Sequence, residues 1–319
     1  MTQPDQPLTF FHKAMSALVL IVMSAACAAQ PEATATPISI LIPASTPTVI
    51  QTPLATSTLT PVPILLSTAP FICNEDWQSL PVIPTVTDAA RRLYQEGIKQ
   101  GNDPHAFSKI GDGEISTQWF LTDFDLGEGY YDLGSYQSLS IVIENFQGSF
   151  GRKSIAARGG FNTNLILDPS VNDSAFCNPD ESPLTCELRI HNPAIAILSL
   201  GANQAYRPAE FESGMRHVLE ILISKNVVPI LSTKGDNLEG DHRINRVIAC
   251  LAQEYQIPLW NFWAAIQSMP NHGLQPDFEH VTYSGINDFG DPFAMQSGWT
   301  VRNLTALQVL DMVWRSVAN

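Results

Sequence analysis

Positive charge is scarce in this sequence. Its 319 residues include 17 lysines and arginines against 31 aspartates and glutamates, which gives a formal net charge of −14. No cluster of basic residues stands out along the chain. Because binding to a phosphate backbone needs clustered lysine and arginine side chains, this composition argues against nucleic acid as a partner.

The apolar run near the N-terminus is short. It extends from Ala14 to Met23, and a run of this length does not span a bilayer comfortably. His12 and Lys13 precede it, and small residues and a cysteine follow at positions 24–27. This order is typical of an export signal, so we assign residues 1–27 to a signal peptide.

Three interpretations of the signal stay open. The small residues before Cys27 resemble a bacterial lipobox, although Ser24 stands where leucine is usual. Lipidation of Cys27 would attach the protein to the bacterial membrane. Cleavage between Ala26 and Ala29 would secrete it, and an uncleaved anchor is the third alternative. We therefore expect an exported protein, either a cell-surface lipoprotein or a secreted one.

Glycine is absent from residues 31–70, where Glu32 is the only charged residue. Proline, threonine and serine make up about half of this segment. Since proline removes backbone donors and fixes φ, such a composition favours an extended, unpacked chain. We predict that residues 28–70 form a disordered linker and that residues 71–319 form the folded domain.

Cysteine is also scarce, with five residues in the chain. If Cys27 is lipidated, four remain, a number that suits disulfides in an exported protein. Cys177 and Cys186 flank a proline-containing polar loop and predict a local disulfide. For Cys73 and Cys250 two alternatives stay open: they form a disulfide with each other, or they remain free thiols. Because Cys250 lies in an apolar helical stretch, a buried thiol is the favoured interpretation for it.

Strand and helix patterns alternate along the folded part. Apolar runs predict strands at residues 105–110, 194–200, 227–231 and 258–262, with a further short strand at 154–157. Apolar residues at helical spacing predict helices at residues 88–98, 135–146, 211–223, 243–255 and 301–317. This alternation is typical of an α/β protein with a mainly parallel sheet.

Three polar segments follow predicted strands or lie near the end of the chain. Gly111-Asp112-Gly113 ends the first strand, Gly201-Ala202-Asn203 ends the run at 194–200, and Asp277-Phe278-Glu279-His280 comes later. In open α/β sheets, ligands bind beyond the carboxyl ends of the strands. We therefore expect these three segments to meet at one edge of the sheet.

Taken in chain order, these segments resemble the conserved blocks of the SGNH/GDSL hydrolase family, a superfamily of lipases, esterases and carbohydrate deacetylases. The resemblance covers about residues 105–315. It implies a three-layer flavodoxin-like sandwich and ester hydrolysis without a cofactor or a metal. The matching positions are Ile110–Gly113 for the Gly-Asp-Ser block, Gly159 or Gly160 for the second-block glycine, Gly201–Asn203 for Gly-x-Asn, and Asp277–His280 for Asp-x-x-His.

The resemblance implies a role for each matching residue. His280 would be the general base, with Asp277 or a backbone carbonyl fixing its tautomer. The side chain of Asn203 would stabilise an oxyanion together with a glycine N–H. The candidates for this glycine N–H are Gly159, Gly160 and Gly201. Asp112 is the remaining residue expected to bind the oxyanion or the substrate.

The nucleophile position departs from the family pattern. Gly113 stands where the family has its serine, and without a hydroxyl there is no acyl-enzyme route through this position. Ser116 lies three residues later, where one helical turn brings its hydroxyl back toward the cleft. A water molecule activated by His280 is the other route. We expect a protein with impaired esterase chemistry.

Two functions follow from these observations. The first is an exported SGNH-type hydrolase homologue that acts on or binds a small-molecule or glycan ester. The alternative is a tethered binding module that uses the same cleft without catalysis. Its aromatic side chains would stack on sugar rings, and the candidates are Trp119, Phe120, Tyr130 and Tyr131.

Overall fold

A computed structural model describes Cys73 and residues 76–318. The predicted export signal with Cys27 and the predicted linker at 28–70 lie outside the described residues. Within residues 76–318, no helix combines the length and the apolar character that crossing a bilayer requires.

Helices and short strands alternate through the described chain. The α-helices are α1 (Asp88–Lys99), α2 (Gly113–Ser116), α3 (Asp123–Leu126), α4 (Ser140–Asn145), α5 (Pro183–His191), α6 (Pro208–Ser224), α7 (Arg243–Glu254), α8 (Phe262–Ile266) and α9 (Gly298–Ala318). The strands are β1 (Asp103–Gly111), β2 (Tyr131–Asp132), β3 (Pro193–Ser199), β4 (Val228–Ser232), β5 (Leu259–Trp260) and β6 (Asn287–Asp288).

The main sheet has the strand order β1-β3-β4-β5, and all its pairings are parallel. Ala157 forms a single parallel bridge to Gly111 on the outer side of β1. The predicted strand at 154–157 is therefore reduced to this bridge. Counting the bridging segment as the second strand along the chain, the order is 2-1-3-4-5, which is flavodoxin-like. Strands β2 and β6 form a separate parallel pair.

Helices cover both faces of the sheet. In β3 every residue is buried, and its side chains point alternately to the two faces. Ile195 and Ile197 pack into the cluster that contains the inward residues of α1, α4 and α9. Ala196 and Leu198 pack against those of α5, α6 and α7. The continuous apolar run that predicted β3 thus reflects burial on both faces, and the predicted three-layer α/β architecture is confirmed.

Two predicted elements differ in extent from those observed. The strand predicted at 258–262 ends at Trp260, because the side chain of Asn261 accepts a hydrogen bond from the Ala264 N–H and starts α8. The helix predicted at 135–146 is limited to α4 and one preceding 3₁₀ turn. In the first case, local side-chain capping ends an element that apolar spacing alone would extend.

Helix α9 lies against α1, α4 and α8 and is buried along most of its length. Its second turn carries Arg302 and Asn303 into the interior. The Arg302 guanidinium reaches the end of β3, where Nη2 donates to Ser199 Oγ at 2.9 Å. The last helix of the fold therefore delivers a positive charge to the carboxyl edge of the sheet.

Two disulfides are present among the described cysteines. Cys177 and Cys186 are bonded as predicted, at a sequence separation of 9. Cys73 and Cys250 are also bonded, at a sequence separation of 177. The favoured interpretation of Cys250 as a buried free thiol was therefore wrong. A distant partner, which local composition does not reveal, decides its state.

Candidate functional site

The turn after β1 is closely packed at Gly111 and open at Gly113. Gly111 has φ +152°, and a Cβ on it would lie 1.9 Å from the carbonyl oxygen of Ser199. Asp112 caps α2, since its Oδ1 accepts a hydrogen bond from the Glu114 N–H at 3.2 Å. Gly113 is exposed, and a Cβ there would meet only the Cα of Gly159, at 3.9 Å. A serine side chain would therefore fit at Gly113.

Ser116 ends α2, and its hydroxyl donates to the carbonyl oxygen of Gly113 at 3.3 Å. The helical turn brings this side chain back toward Gly113, as its spacing predicts. Within the described part of the chain, its hydroxyl has no hydrogen bond to an imidazole or a carboxylate. Nothing in this arrangement activates Ser116 as a nucleophile.

The loop that contains Gly159 and Gly160 lies beside Gly113, and so does the turn that contains Asn203. Gly159 approaches the Gly113 turn directly, and Gly160, with φ +83°, follows it at the surface. Asn203 Nδ2 donates to the carbonyl oxygen of Phe161 at 2.9 Å, which fastens the Asn203 turn to this loop. A carboxamide carries two N–H groups, so one donor remains beyond this bond. The predicted oxyanion donors are thus brought together with the turn after β1.

Gly201 is buried, in contrast to Gly159 and Gly160. Its φ is +136°, and a Cβ would lie 2.7 Å from the side chain of Ile244. The position therefore has a packing requirement for glycine at the end of β3.

His280 and Asp277 form a hydrogen-bonded pair in a tight loop. His280 Nδ1 lies 2.8 Å from Asp277 Oδ2, and Asp277 Oδ1 accepts the backbone N–H groups of Glu279 and His280 at 3.0 Å each. Phe278 adopts φ 57° to close this loop. Of the two orienting groups that were predicted, the carboxylate is the one in contact. Nε2 is thereby left to exchange a proton with a ligand.

Each side chain of the His280–Asp277 pair shifts the pKa of the other toward its charged form. Backbone hydrogen bonds, first that of Glu279, and the hydrogen bond from His280 lower the pKa of Asp277 to about 2. The hydrogen bond to Asp277 raises the pKa of His280. The charge of Glu114 also raises the pKa of His280, and the charge of His280 lowers the pKa of Glu114.

Arg302 and Glu114 form an ion pair behind the turn after β1. The sequence analysis did not identify this pair. Arg302 is 0% exposed, and its Nη1 lies 3.5 Å from Glu114 Oε2. Glu114 remains about a quarter exposed. Burial raises the pKa of Glu114 and lowers that of Arg302. The sequence contained only weak signals for this ion pair. One is the acidic residue directly after Gly113, and the other is Arg302 within the apolar pattern of α9.

The predicted aromatic set divides into exposed and buried members. Trp119 is 42% and Tyr130 55% exposed, whereas Phe120 is fully buried and Tyr131 is half-buried. The ring centroids of Trp119 and Tyr283 lie 5.0 Å apart. These two rings border a cavity of about 170 Å³ that is also lined by Trp299, Asp123, Asn287 and Asn303. Phe120 is therefore not available for stacking on a ligand.

One group of potential metal ligands occurs among the described residues. The side chains of Cys177, Glu181 and Cys186 lie close together. The two cysteines form a disulfide, however, and zinc binding requires thiolates. This group therefore does not fit a metal site in its oxidised form.

The buried carboxyl of Asp112 predicts a pH-dependent stability. It is 4% exposed, and burial, followed by the charge of Glu114, raises its pKa from 3.8 to about 7. The folded state therefore holds this proton more tightly than the unfolded state, so the stability is fully present below about pH 4 and is lost as the pH rises through about 7. We expect Asp112→Asn to increase the free energy of unfolding at pH 8 by roughly 2–4 kcal/mol and to change it little at pH 4.

Urea unfolding of the two proteins at both pH values measures this effect. The asparagine oxygen retains an acceptor for the Glu114 N–H. A stability gain for Asp112→Asn that is equal at pH 4 and pH 8 would show that the titration of Asp112 is not its cause.

The chain is similar to several solved structures, and no family model and no curated protein matches it. A GDSL-like lipase from Bacteroides thetaiotaomicron VPI-5482 aligns with TM-score 0.41 and 12% identity, over 70% of this chain and 97% of that one. A putative acylhydrolase from Bacteroides fragilis NCTC 9343 aligns with TM-score 0.42 and 15% identity, over 72% and 100%. A catalytic mutant of an acetylxylan esterase from Geobacillus stearothermophilus aligns with TM-score 0.42 and 14% identity, over 66% and 95%.

Proposed function

We propose that this protein is an exported SGNH-type hydrolase homologue that binds esters or O-acetylated substrates at the carboxyl edge of its sheet. Its hydrolytic activity is impaired because Gly113 replaces the nucleophilic serine. The proposal rests on the four sequence blocks that resemble the family. The observation that carries it is the His280–Asp277 pair, whose Nδ1 to Oδ2 distance is 2.8 Å.

Hydrolysis at this site proceeds by direct attack of water. Nε2 of His280 accepts a proton from the water as its oxygen bonds to the ester carbonyl carbon. The remaining N–H of Asn203 and a backbone N–H of the Gly159–Gly160 loop stabilise the oxyanion. The protonated imidazole then returns its proton to the departing alkoxide, which releases the acid and the alcohol.

The ester chemistry is tested by the loss of His280. We expect wild-type protein to hydrolyse p-nitrophenyl acetate slowly and His280→Ala to lower kcat/KM at least about 10-fold, because removing a general base costs about 100- to 10,000-fold where it acts fully. His105→Ala is the matched control, since His105 is exposed at the opposite end of β1. Equal rates for wild type, His280→Ala and His105→Ala would reject hydrolysis at this site.

A binding module without catalysis is the second candidate function. It is favoured by the exposed Trp119 and Tyr283 rings beside the cavity, because exposed aromatic faces are suited to stacking on apolar sugar faces. The same assay separates the two candidates. Absent turnover, together with measurable binding of an acetylated oligosaccharide, supports the binding module instead.

Export is part of the proposal. It rests on the signal-like pattern of residues 1–27, and lipidation of Cys27 stays a prediction. The disulfides Cys73–Cys250 and Cys177–Cys186 support it, because disulfides persist in oxidising compartments and are rare in the cytosol.

A further inference from the structure

We propose that Glu114 is the residue that positions the attacking water in the open space over Gly113. This inference rests on the proposed ester hydrolysis and assigns the group that replaces the missing hydroxyl. The Glu114 carboxylate accepts one hydrogen bond from the water, while His280 takes the other proton. Glu114 thereby fixes the direction of the water lone pair toward the ester carbon.

The buried guanidinium of Arg302 lies beside Glu114. Four aromatic rings surround this guanidinium within 4.5 to 5.7 Å of its Cζ. Its Nη2 donates a hydrogen bond to Ser199, whereas Nε and Nη1 have no hydrogen-bond partner among the described residues. Leaving donors of a buried cation unpaired is costly. The Glu114 carboxylate lies 3.5 Å from Nη1 and forms an ion pair with it, without a hydrogen bond.

The Arg302 contact opposes the protonation of Glu114 that burial favours. Burial raises the pKa of Glu114, and the positive charge of Arg302 lowers it. An ionised carboxylate offers acceptors only, whereas a protonated carboxyl also donates. The rings around Arg302 belong to buried core residues. The free part of the Glu114 carboxylate remains about a quarter exposed and next to Gly113.

Glu114 also acts on the base. Its negative charge raises the pKa of His280 and so stabilises the imidazolium that forms as water is deprotonated. Each step balances: water gives one proton to Nε2, its oxygen bonds to the carbonyl carbon, and the imidazolium protonates the alkoxide as the ester bond breaks. Glu114 neither gains nor loses a proton in the cycle.

The test compares Glu114→Gln in two backgrounds of the full chain. In the native background we expect kcat/KM for p-nitrophenyl acetate to fall about 10- to 100-fold, because the amide is a weaker acceptor for the water. The apparent pKa of the acidic limb is expected to fall as well. In the Gly113→Ser background, the serine hydroxyl occupies the place of the water, so the loss is expected to stay below about 3-fold.

Glu128→Gln is the matched control, since Glu128 is exposed and outside the site. Glu114→Asp is a second variant that keeps the charge but withdraws the carboxylate, and we expect a similar loss from it. Losses of equal size in both backgrounds, or no loss in the native one, would overturn the role of Glu114. If wild-type turnover is no higher than that of His280→Ala, the proposed ester hydrolysis itself fails, and the inference about Glu114 fails with it. This result differs from a loss of equal size in both backgrounds, which rejects the role of Glu114 alone.

Discussion

Gly113→Ser is expected to raise kcat/KM for p-nitrophenyl acetate about 100- to 10,000-fold above wild type, the range typical of an activated nucleophile and its base. The geometry permits the change, because Gly113 is exposed and a Cβ there meets only Gly159, at 3.9 Å. Its φ is not in the left-handed region. His280 is already oriented by its hydrogen bond to Asp277.

Two controls separate nucleophilic catalysis from a change of shape. Gly113→Ala adds the same Cβ without a hydroxyl and should not raise the rate above that of wild type. Adding His280→Ala to Gly113→Ser should remove the gain. Intact-mass analysis after treatment with a fluorophosphonate should show one covalent adduct in the serine variant alone. An unchanged rate without adduct would mean that His280 and position 113 do not act on the same atom.

The loss of the Cys73–Cys250 disulfide is expected to lower the free energy of unfolding by about 5 kcal/mol, against about 3 kcal/mol for Cys177–Cys186. The difference follows from the sequence separations of 177 and 9, because a longer loop loses more entropy when it is closed in the unfolded chain. Cys73→Ala/Cys250→Ala and Cys177→Ala/Cys186→Ala are the variants to compare.

Urea unfolding of both variants and the wild type measures this difference. Cys186 is fully buried, so its removal adds a small packing loss that narrows the gap. A smaller loss for the Cys73–Cys250 variant than for the Cys177–Cys186 variant would contradict the loop-length account and point to residual structure in the unfolded state.

Much of the fold was predictable because its signals are local. The apolar run that forms β3 is buried on both faces, and such a run reads as a strand without knowledge of its neighbours. The Cys177–Cys186 disulfide joins residues that are close in sequence. The Asp277–His280 contact likewise spans one short loop. In the last two cases the interacting residues are close in sequence, at separations of 9 and 3, so spacing alone constrained them.

The amino-acid sequence by itself determined the alternation of strands and helices, and it predicted that Gly113 stands at the position of a nucleophile. The tertiary structure alone decided which charges meet beside that turn. Arg302 reaches Glu114 from a helix almost 190 positions later, and the same packing buries Phe120 beneath the guanidinium. Burial and charge pairing depend on contacts between distant segments, whereas propensity and periodicity depend on near neighbours. That is why the sequence could predict a missing hydroxyl, and only the fold revealed that Arg302 pairs with the carboxylate of Glu114.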